Sequence, residues 1–342
     1  MKKLIFLLFI SSALFAQQQN LTPQQIQQQL NEAEALFKRA EGMFNPWYTG
    51  PLLTPSATMV PPGMMSTQPY IFITDTYAVF DRHRNSHTLK NSVISFNPAG
   101  GPVAQIGVTN HFDVTISSQA FVNWQAGRHG GGVGDTSLAI GFCMQDQTPW
   151  VPKAKFVIKQ SFPTGRYQHL NHDGLGLGAT GSGCYRTTFG FATGKLLFWE
   201  TQHPVNTRLF FGYTVSQAAK VHGFNTYGGG FGTRARVRPG NEITADAGIE
   251  VSLTQSWVVC FDLAYTAQNA TKFSGNPGTT ATGDIAPLGK GYSDNLSLAP
   301  GIEYNLNDHS GFVFGGWFSV YGRNSGNFGS GIASFYYVFG VN

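Results

Sequence analysis

The sequence predicts an all-β fold: a transmembrane antiparallel up-and-down β-barrel of about 12 strands that follows a short N-terminal amphipathic helix. Three observations predict it. Apolar and polar residues alternate from about Tyr70 to the C-terminus, charged residues make up only 12% of the chain, and aromatic residues make up 14%. Because side chains alternate across a strand, each strand has one apolar and one polar face, as lipid outside and water inside a barrel require. One example of an apolar face is formed by Trp257, Val259, Phe261, Leu263 and Tyr265.

Residues 1–16 have the pattern of a secretory signal peptide. Lys2 and Lys3 provide the basic start, Leu4–Ile10 forms the apolar core, and small residues precede a cleavage site after Ala16. The apolar run is too short for a membrane-spanning helix, which needs about 20 residues. We therefore expect export to the outer membrane of a Gram-negative bacterium and no transmembrane helix in the mature chain.

Residues 17–45 predict an N-terminal helix. Thr22 and Gln25 fit a capping box, with Pro23 in the first turn. Apolar residues then repeat at spacings of four and three, which is the seam of a short coiled coil: Ile26, Leu30, Ala33, Phe37, Ala40 and Phe44. Three interpretations are open: a helix that forms a homo-oligomer through residues 22–44, a plug in the lumen, or an amphipathic helix packed on the barrel rim.

Residues 46–69 predict a Pro-rich linker between the helix and the barrel. Proline lacks the backbone N–H that a helix or a β-ladder needs, so six prolines exclude regular structure from most of the stretch: Pro46, Pro51, Pro55, Pro61, Pro62 and Pro69. The barrel is then expected to occupy residues 70–342.

Turn signals divide the barrel region into an even number of strands, as single-chain bacterial barrels require. The candidates are 70–80, 90–109, 112–124, 134–146, 152–162, 177–199, 206–218, 227–253, 256–268, 291–305, 311–323 and 329–341. Fourteen strands is the alternative, because 90–109 and 227–253 are overlong and contain Gly100–Gly101 and Pro239–Gly240. Short and long connections alternate, so the short ones are expected on the periplasmic side and the long ones outside.

The predicted hydrocarbon face carries almost no charge, since Arg or Lys at the bilayer midplane costs about 2–4 kcal/mol. Its members include Phe112, Val114, Ile116, Leu138, Ile140, Phe142, Phe156, Ile158, Leu209, Phe211, Tyr213, Phe312, Phe314, Phe318, Phe335, Tyr337 and Phe339. A soluble β-sandwich would show the same alternation, but the aromatic content, the signal and the strand count favour the barrel.

Expected partners follow from this location. They are outer-membrane lipid and lipopolysaccharide, a small-molecule solute, and the barrel-assembly machinery, for which Phe339 would serve in place of a C-terminal aromatic residue. Arg234, Arg236 and Arg238 alternate near the external rim, where they would meet lipopolysaccharide phosphates or solvent.

The predicted inward residues carry the charges, and we interpret them as pore-lining. Strands five to seven supply a basic wall: Lys153, Lys155, Lys159, Arg186 and Arg208. Strands eight to ten supply an acidic wall: Glu242, Asp246, Glu250, Asp262 and Glu303. Walls of opposite sign would orient dipolar solutes in the lumen. Alternatively, the charges pair across the lumen, which would rigidify the barrel and partly close it.

No catalytic, cofactor or metal site is predicted. The histidines fall in predicted loops, turns or their edges, and no phosphate-binding loop motif occurs. His169–Asp173 has metal-binding residue types, but a polar loop explains it better. Cys143, Cys184 and Cys260 have no paired spacing and are expected to be isolated small core residues, with one bridge between Cys143 and Cys260 as the alternative. The net charge of +4 gives no argument for nucleic acid.

Four motifs in the middle of the chain point to a family. They are 107–114 (GVTNHFDV), 132–138 (GVGDTSL), 151–167 (VPKAKFVIKQSFPTGRY) and 174–181 (GLGLGATG). Together they resemble the outer-membrane β-barrel family described as transporters of the meta-pathway of phenol degradation. The resemblance implies passive uptake of small organic, often aromatic, molecules, and it assigns no role to individual charged residues.

The sequence therefore predicts an outer-membrane channel or transporter for passive uptake of small organic solutes through a polar lumen. The alternative is a structural anchor or adhesin that acts through its external loops. An outer-membrane hydrolase is the weakest of the three hypotheses, and we do not expect an enzyme.

Overall fold

The computed structural model describes residues 21–41, 50–100 and 102–341. Several predicted features lie outside the described residues: the signal peptide 1–16, residues 17–20, Phe44 of the helical seam, Pro46 of the linker, Gly101 and Asn342. Within the described ranges the chain forms one α-helix, one short 3-10 helix and nineteen strand segments.

The helix α1 spans Pro23–Glu41 and begins at the predicted capping box. The Gln25 N–H donates to Thr22 Oγ1 at 3.3 Å, and the Thr22 N–H donates to Gln25 Oε1 at 2.9 Å. These reciprocal bonds satisfy two backbone N–H groups at the helix start. The predicted sequence signal therefore defines where the helix begins.

Twelve antiparallel strands close into one barrel, which confirms the predicted fold. Four strands are interrupted and consist of two segments each: β1 (Met64–Thr67) with β2 (Tyr70–Phe80), β3 (Ser86–Gly100) with β4 (Pro102–Gly107), β5 (Phe112–Ser117) with β6 (Ala120–Gln125), and β7 (Arg128–Val133) with β8 (Thr136–Gln145). Eight are continuous: β9 (Lys153–Phe162), β10 (Arg186–Leu197), β11 (Val205–Ser216), β14 (Glu242–Ser252), β15 (Trp257–Gln268), β17 (Ser293–Asn305), β18 (Ser310–Arg323) and β19 (Ser325–Gly340). Three further segments form a separate sheet: β12 (Ala219–His222), β13 (Arg234–Arg238) and β16 (Lys272–Asn276).

The first and last strands close the barrel. β19 pairs with β2 along 325–334 and with β1 along 337–340. Met64–Thr67 therefore belongs to the wall, although the sequence prediction placed these residues in the linker and began the barrel at residue 70. The wall strand is interrupted at Gln68 and Pro69, and Pro69 has no N–H to donate to a ladder.

The two overlong predicted strands have different outcomes. The stretch 90–109 is one wall strand in two segments, β3 and β4, so it does not raise the count to fourteen. The stretch 227–253 does divide after residue 238, but β13 leaves the wall for the separate sheet while β14 stays in it. Two predicted strand starts were also wrong. The strand predicted to begin at residue 134 already begins with β7 at 128–133, and the strand predicted to begin at residue 177 begins only at 186.

Burial confirms the predicted alternation. On β15, Val258, Cys260 and Asp262 are buried, whereas Trp257 and Phe261 are exposed. The exposed apolar side chains of the wall include Ile116, Leu138, Ile140, Phe142, Ile158, Leu209, Phe211, Tyr213, Phe314, Phe318, Phe335 and Tyr337. An apolar outside with a polar inside is the pattern that lipid imposes on a barrel. No helix in the described ranges combines the length and the hydropathy that a bilayer crossing needs.

The connections differ between the two ends of the barrel, which we call the short-turn end and the long-loop end. The short-turn end carries the connections 108–111, 146–152, 198–204, 253–256 and 306–309. The long-loop end carries the extended connections 163–185, 217–241 and 269–292. The predicted alternation of short and long connections holds only in part, because three further connections at the long-loop end, 81–85, 126–127 and residue 324, are short. The assignment of the two ends to periplasm and exterior stays a prediction.

Candidate functional site in the lumen

Residues 50–62, which we call the lumen segment, lie inside the barrel. Leu52 is only 3% exposed and packs in a cluster of inward side chains from five strands: Tyr70, Cys260, Ala299, Val313 and Ile332. The sequence prediction interpreted 46–69 as a linker between helix and barrel. Prolines do exclude regular structure here, but the irregular chain folds into the lumen instead of connecting the helix and the barrel on the outside.

Asp262 on β15 binds the lumen segment through its carboxylate. The backbone N–H groups of Leu53 and Thr54 donate to its two oxygens at 3.2 Å and 3.0 Å, and the Thr54 hydroxyl donates to the same carboxylate. Asp262 is fully buried. A buried carboxylate needs such donors, because an unpaired charge in a low-dielectric interior is costly.

Further contacts connect the lumen segment to the other side of the barrel. Lys155 Nζ donates to the Thr58 carbonyl at 3.4 Å. At the end of β4, a Cβ at Gly107 would lie 2.0 Å from the Pro61 carbonyl oxygen, so only glycine allows this close approach. Pro62 forms an isolated parallel bridge with Gly107. The lumen segment therefore crosses from β15 to β9 and leaves the lumen beside β4.

The lumen segment fills the half of the barrel nearer the short-turn end. Pro51 and Thr54 approach Gly248 on β14, since a Cβ there would lie 3.0 Å from each side chain. Gly248 is four residues from Ser252, where β14 ends at the short-turn end. At a rise of about 3.3 Å per residue, the segment reaches roughly 13 Å into the barrel.

Arg208 on β11 is paired within the wall. Its Nε and Nη2 donate to the two carboxylate oxygens of Glu250 on β14 at 2.8 Å and 3.1 Å. Asn206 donates to Glu250 as well, at 2.7 Å. A two-point pair of this kind fixes both side chains, because the planar guanidinium matches the carboxylate. Arg208 also borders the lumen segment, since a Cβ at Gly50 would lie 2.5 Å from its guanidinium.

Lys155 on β9 reaches across a neighbouring strand to Asp113 on β5. Lys155 Nζ lies 2.7 Å from Asp113 Oδ2, and both side chains are almost fully buried. Gly141 on β8 lies beneath the pair: a Cβ there would be 2.2 Å from Lys155 Cε and 2.5 Å from Asp113 Oδ1. The ion pair therefore requires glycine at position 141, because any side chain there would clash with it.

The strand alternation directs all ten predicted pore-lining residues to the lumen side. Four of the five predicted basic residues form ion pairs with acids of neighbouring strands or turns: Lys155 with Asp113, Arg208 with Glu250, Arg186 with Glu242 at 3.1 Å, and Lys153 with Asp146 of the turn 146–152 at 3.7 Å. Pairing along the wall removes most of the predicted field between a basic and an acidic wall. The alternative prediction, that the charges pair across the lumen, is also wrong, because these pairs join neighbouring parts of the wall. It is the lumen segment that crosses the lumen.

Lys159 and Asp246 mark the other half of the lumen. Lys159 is exposed although it faces inward, so this level of the barrel has room for water. Asp246 lies on β14 at the same side as Glu242 and is partly buried. The half nearer the long-loop end thus carries charged side chains of both signs together with the aromatic Phe72 and Trp317, whose ring centroids lie 6.2 Å apart, whereas the lumen segment occupies the other half.

A small cavity lies between the lumen segment and the short-turn end. Its volume is about 50 Å³, and its lining includes Thr58, Arg208, Glu250, Glu303 and Glu41 at the end of α1. A single water needs about 10–15 Å³ by this measure, so the cavity has room for a few waters. This space is too small for an organic solute while the lumen segment is in place.

The helix α1 contacts the short-turn end through its last turns. Phe37 and Ala40 are buried against Leu196, and Phe37 packs edge-on against Trp199 with ring centroids 5.7 Å apart. Ile26 and other residues of the first turns are exposed. The helix therefore packs on the rim and is not the plug. A homo-oligomer through residues 22–44 stays a prediction.

Ionic and aromatic contacts connect the turns and strand ends at the long-loop end. Arg84 Nη2 donates to Asp294 Oδ2 at 2.9 Å, and its guanidinium lies 4.6 Å from the Tyr321 ring centroid. Asp81 bonds His87 at 2.9 Å and accepts two backbone N–H groups of the turn that follows it. The bond with His87 and these N–H groups hold the pKa of Asp81 below its ordinary value.

The sequence reasoning missed two groups of site residues. Asp113 had a signal, since it alternates with the apolar Phe112 and Val114 and so faces inward. Leu52 and Thr54 had none, because a Pro-rich stretch has no periodicity that indicates which contacts it makes. The three cysteines are free; Cys184 and Cys260 are buried, as expected for small core residues, whereas Cys143 is only partly buried. No group of three or more His, Cys, Asp or Glu among the described residues is arranged to hold a metal ion.

The sequence matches no protein-family model, and no curated protein matches it. The fold does match solved structures. An outer membrane channel from Pseudomonas putida F1 superposes with a TM-score of 0.59, covering 84% of this chain and 100% of that chain at 12% identity. This chain has the fold of an outer-membrane β-barrel. At this identity the likeness shows the fold alone.

Two further barrels are more distant. The transport unit of the autotransporter AIDA-I from Escherichia coli has a TM-score of 0.42 and 10% identity, covering 88% of this chain and 97% of that chain. The NanC porin has a TM-score of 0.36 and 8% identity, covering 78% of this chain and 98% of that chain. These likenesses carry no argument about function.

Proposed function

We propose that this outer-membrane barrel is a channel for passive uptake of small organic solutes, and that the lumen segment closes it at rest. The observation that carries the proposal is the polar attachment of Thr54 to Asp262 within a charged lumen. A purely structural barrel has no need to bury charges, because apolar side chains fill a small barrel at lower cost.

The lumen segment suits a movable closure. It enters and leaves the lumen at the short-turn end, so its release requires no opening of the wall. Its buried apolar side chains are Leu52, Ala57, Met59 and Val60. Its polar contacts with the wall are made by the Leu53 and Thr54 N–H groups, the Thr54 hydroxyl and the Thr58 carbonyl. Water replaces polar contacts at modest net cost, about 0.5–1.5 kcal/mol for a typical hydrogen bond.

The solute class follows from the half of the lumen that is not filled. Lys159, Arg186, Glu242 and Asp246 line it with both signs of charge. Such a lining favours small dipolar or ionised solutes over purely apolar ones. Small aromatic acids combine this polarity with the solute class that the resemblance to the phenol-degradation family implies.

An anchor or adhesin is the second candidate function. It is favoured by the ordered long-loop end, where Val221 and Val237 are fully buried beneath the connections. An adhesive surface would need this order, whereas a channel mouth does not. The two candidates differ in one property, which is passage of solute through the barrel.

Swelling of proteoliposomes tests the proposal. The full mature chain is reconstituted and diluted into isotonic sodium benzoate or raffinose, with protein-free liposomes as control. We expect faster swelling in benzoate than in the protein-free control, and no difference from that control in raffinose, which is too large. Because the full chain is closed at rest, the same assay is run with a chain lacking residues 17–61. Benzoate swelling equal to that of the protein-free control for both proteins would contradict the channel and favour the anchor.

A further inference from the structure

The three-stranded sheet stands on the long-loop rim as an extension of the wall. β12 follows β11 after two residues, β13 precedes β14 by three residues, and β16 follows β15 after three residues. Its strand order, β12–β13–β16, repeats the order β11–β14–β15 of the wall beneath it. The sheet therefore projects beyond the apolar belt on one side of the barrel.

The two faces of this sheet differ sharply in character. One face buries Val221 and Val237 against Leu288, with Tyr167 and Tyr227 packed around them. The opposite face, which we call the basic face, is exposed and consists of Lys220, His222, Arg234, Arg236, Arg238, Lys272, Ser274 and Asn276. The three strands contain five Lys or Arg residues and no Asp or Glu.

Like charges lie directly opposite each other on the basic face. Lys220 pairs in register with Arg236, and Arg238 pairs in register with Lys272. Cross-strand neighbours on one face have Cβ atoms about 4.5–5.5 Å apart, and like charges at that spacing destabilise a sheet. None of these four residues forms an ion pair within the described part of the chain. An anion between them would turn the repulsion into attraction.

The position of a groove beside the basic face indicates where that anion comes from. The groove has a volume of about 570 Å³ and is lined by Val215, Arg236, Arg238 and Lys272, among others. Val215 lies on the same side of β11 as Tyr213, which belongs to the exposed outer surface of the wall. The apolar face of the sheet packs against Tyr167, Tyr227 and Leu288 of the long connections, so the basic face and this groove lie on the opposite side, next to the outward-facing Val215.

Tyr213 places the basic face at the edge of the apolar belt. Its hydroxyl accepts a hydrogen bond from Asn241 Nδ2 at 2.7 Å, just below the start of the sheet. Tyrosines with an apolar ring and a bonded hydroxyl mark the boundary between hydrocarbon and headgroups in barrels. The cations begin one level above this boundary, where lipid phosphates lie.

We propose that the basic face binds the phosphate groups of lipopolysaccharide in the outer leaflet. Arg236 is the centre of the site, with Lys220 opposite it on β12, Arg238 two residues further along β13, and Lys272 on β16. Guanidinium groups bind phosphate oxygens through two parallel hydrogen bonds, and the lysines add point charges. The site is independent of whether the barrel conducts solutes.

Titration of fluorescent lipid A into the detergent-solubilised full chain tests the site. The test variant is Lys220→Gln with Arg236→Gln and Lys272→Gln. The matched control is Arg82→Gln with Lys90→Gln and Arg128→Gln, which removes three exposed cations elsewhere. Both variants should retain heat-modifiable migration, because neither disturbs a buried contact.

We expect the test variant to bind bisphosphorylated lipid A at least tenfold more weakly than the wild type, and the control to bind within twofold. Lipid A without phosphates should bind the wild type and the test variant equally weakly. Equal loss in the two variants would show a general charge effect and overturn the site. Displacement of lipid A by micromolar inorganic phosphate would identify free phosphate as the ligand and overturn the lipid assignment.

Discussion

Asp262 accepts both the backbone N–H and the hydroxyl of Thr54, so one carboxylate connects the barrel wall to the lumen segment. The wall residue comes from the ninth strand, and its partner lies 208 positions earlier in the chain. Asp262 is therefore one of the main polar attachments of the lumen segment.

Asp262→Asn should loosen the lumen segment. Hydrogen bonds to a charged group contribute about 1.5–3 kcal/mol, and the neutral amide keeps only part of this. A loss of about 1.4 kcal/mol would raise the open population about tenfold. Planar-bilayer recordings should show more frequent openings than in the wild type.

Asp246→Asn is the matched control for this change. It removes the same charge from the same side of the lumen, and none of the described contacts of the lumen segment involves Asp246. Its opening frequency should equal that of the wild type. Equal gains in both variants would assign the effect to lumen charge and not to the attachment of Thr54.

Leu52→Cys should form a disulfide with the native Cys260. The Leu52 side chain and the Cys260 sulfur each lie 2.9 Å from the same point, the Cβ position of Gly301. Oxidation of the single variant should produce the cross-link, detected by peptide mass mapping, and should suppress openings that a reductant restores. The same variant with Cys260→Ser should not cross-link. Absence of the bridge would contradict the placement of the lumen segment.

Gly141→Ala should destabilise the barrel by about 3 kcal/mol or more, because the new methyl group separates Lys155 from Asp113 and leaves buried charges unpaired. Gly331→Ala is the control, since its Cβ would meet nothing within 4 Å. Urea unfolding in detergent, followed by heat-modifiable migration, measures both. Similar stability of the two variants would indicate that the ion pair does not depend on Gly141.

Phe37→Ala should release α1 from the rim, because the contacts with Leu196 and Trp199 are lost. Trypsin cleavage after Lys38 and Arg39 should become several times faster. Replacing the exposed Ile26 by Ser should leave that rate unchanged. If Phe37→Ala leaves cleavage unchanged as well, the helix is not held at the rim through this side chain.

Alternation made the wall predictable from the sequence. On β15 the apolar set from Trp257 to Tyr265 had to face lipid once the opposite set contained Asp262, because a one-residue slip would put a carboxylate into hydrocarbon. Turn residues then located most strand ends to within a few positions. The capping box at Thr22 predicted the helix start for the same local reason.

The lumen could not be predicted in the same way. Asp113 and Lys155 meet only because strands 42 positions apart in sequence lie two places apart in the wall. Thr54 finds Asp262 only in the closed barrel. Proline content excluded regular structure from the lumen segment, but it could not distinguish an outside linker from a chain inside the lumen. Long-range contacts of this kind leave no local periodicity.

Single-channel conductance of the wild type and of a mature chain lacking residues 17–61 tests the central claim most directly. The deletion ends before β1, and heat-modifiable migration establishes that the barrel still folds. We predict rare, small openings for the wild type and a stable, several-fold larger conductance for the deletion variant. A folded deletion variant that stays silent would contradict the claim that the lumen segment closes a channel.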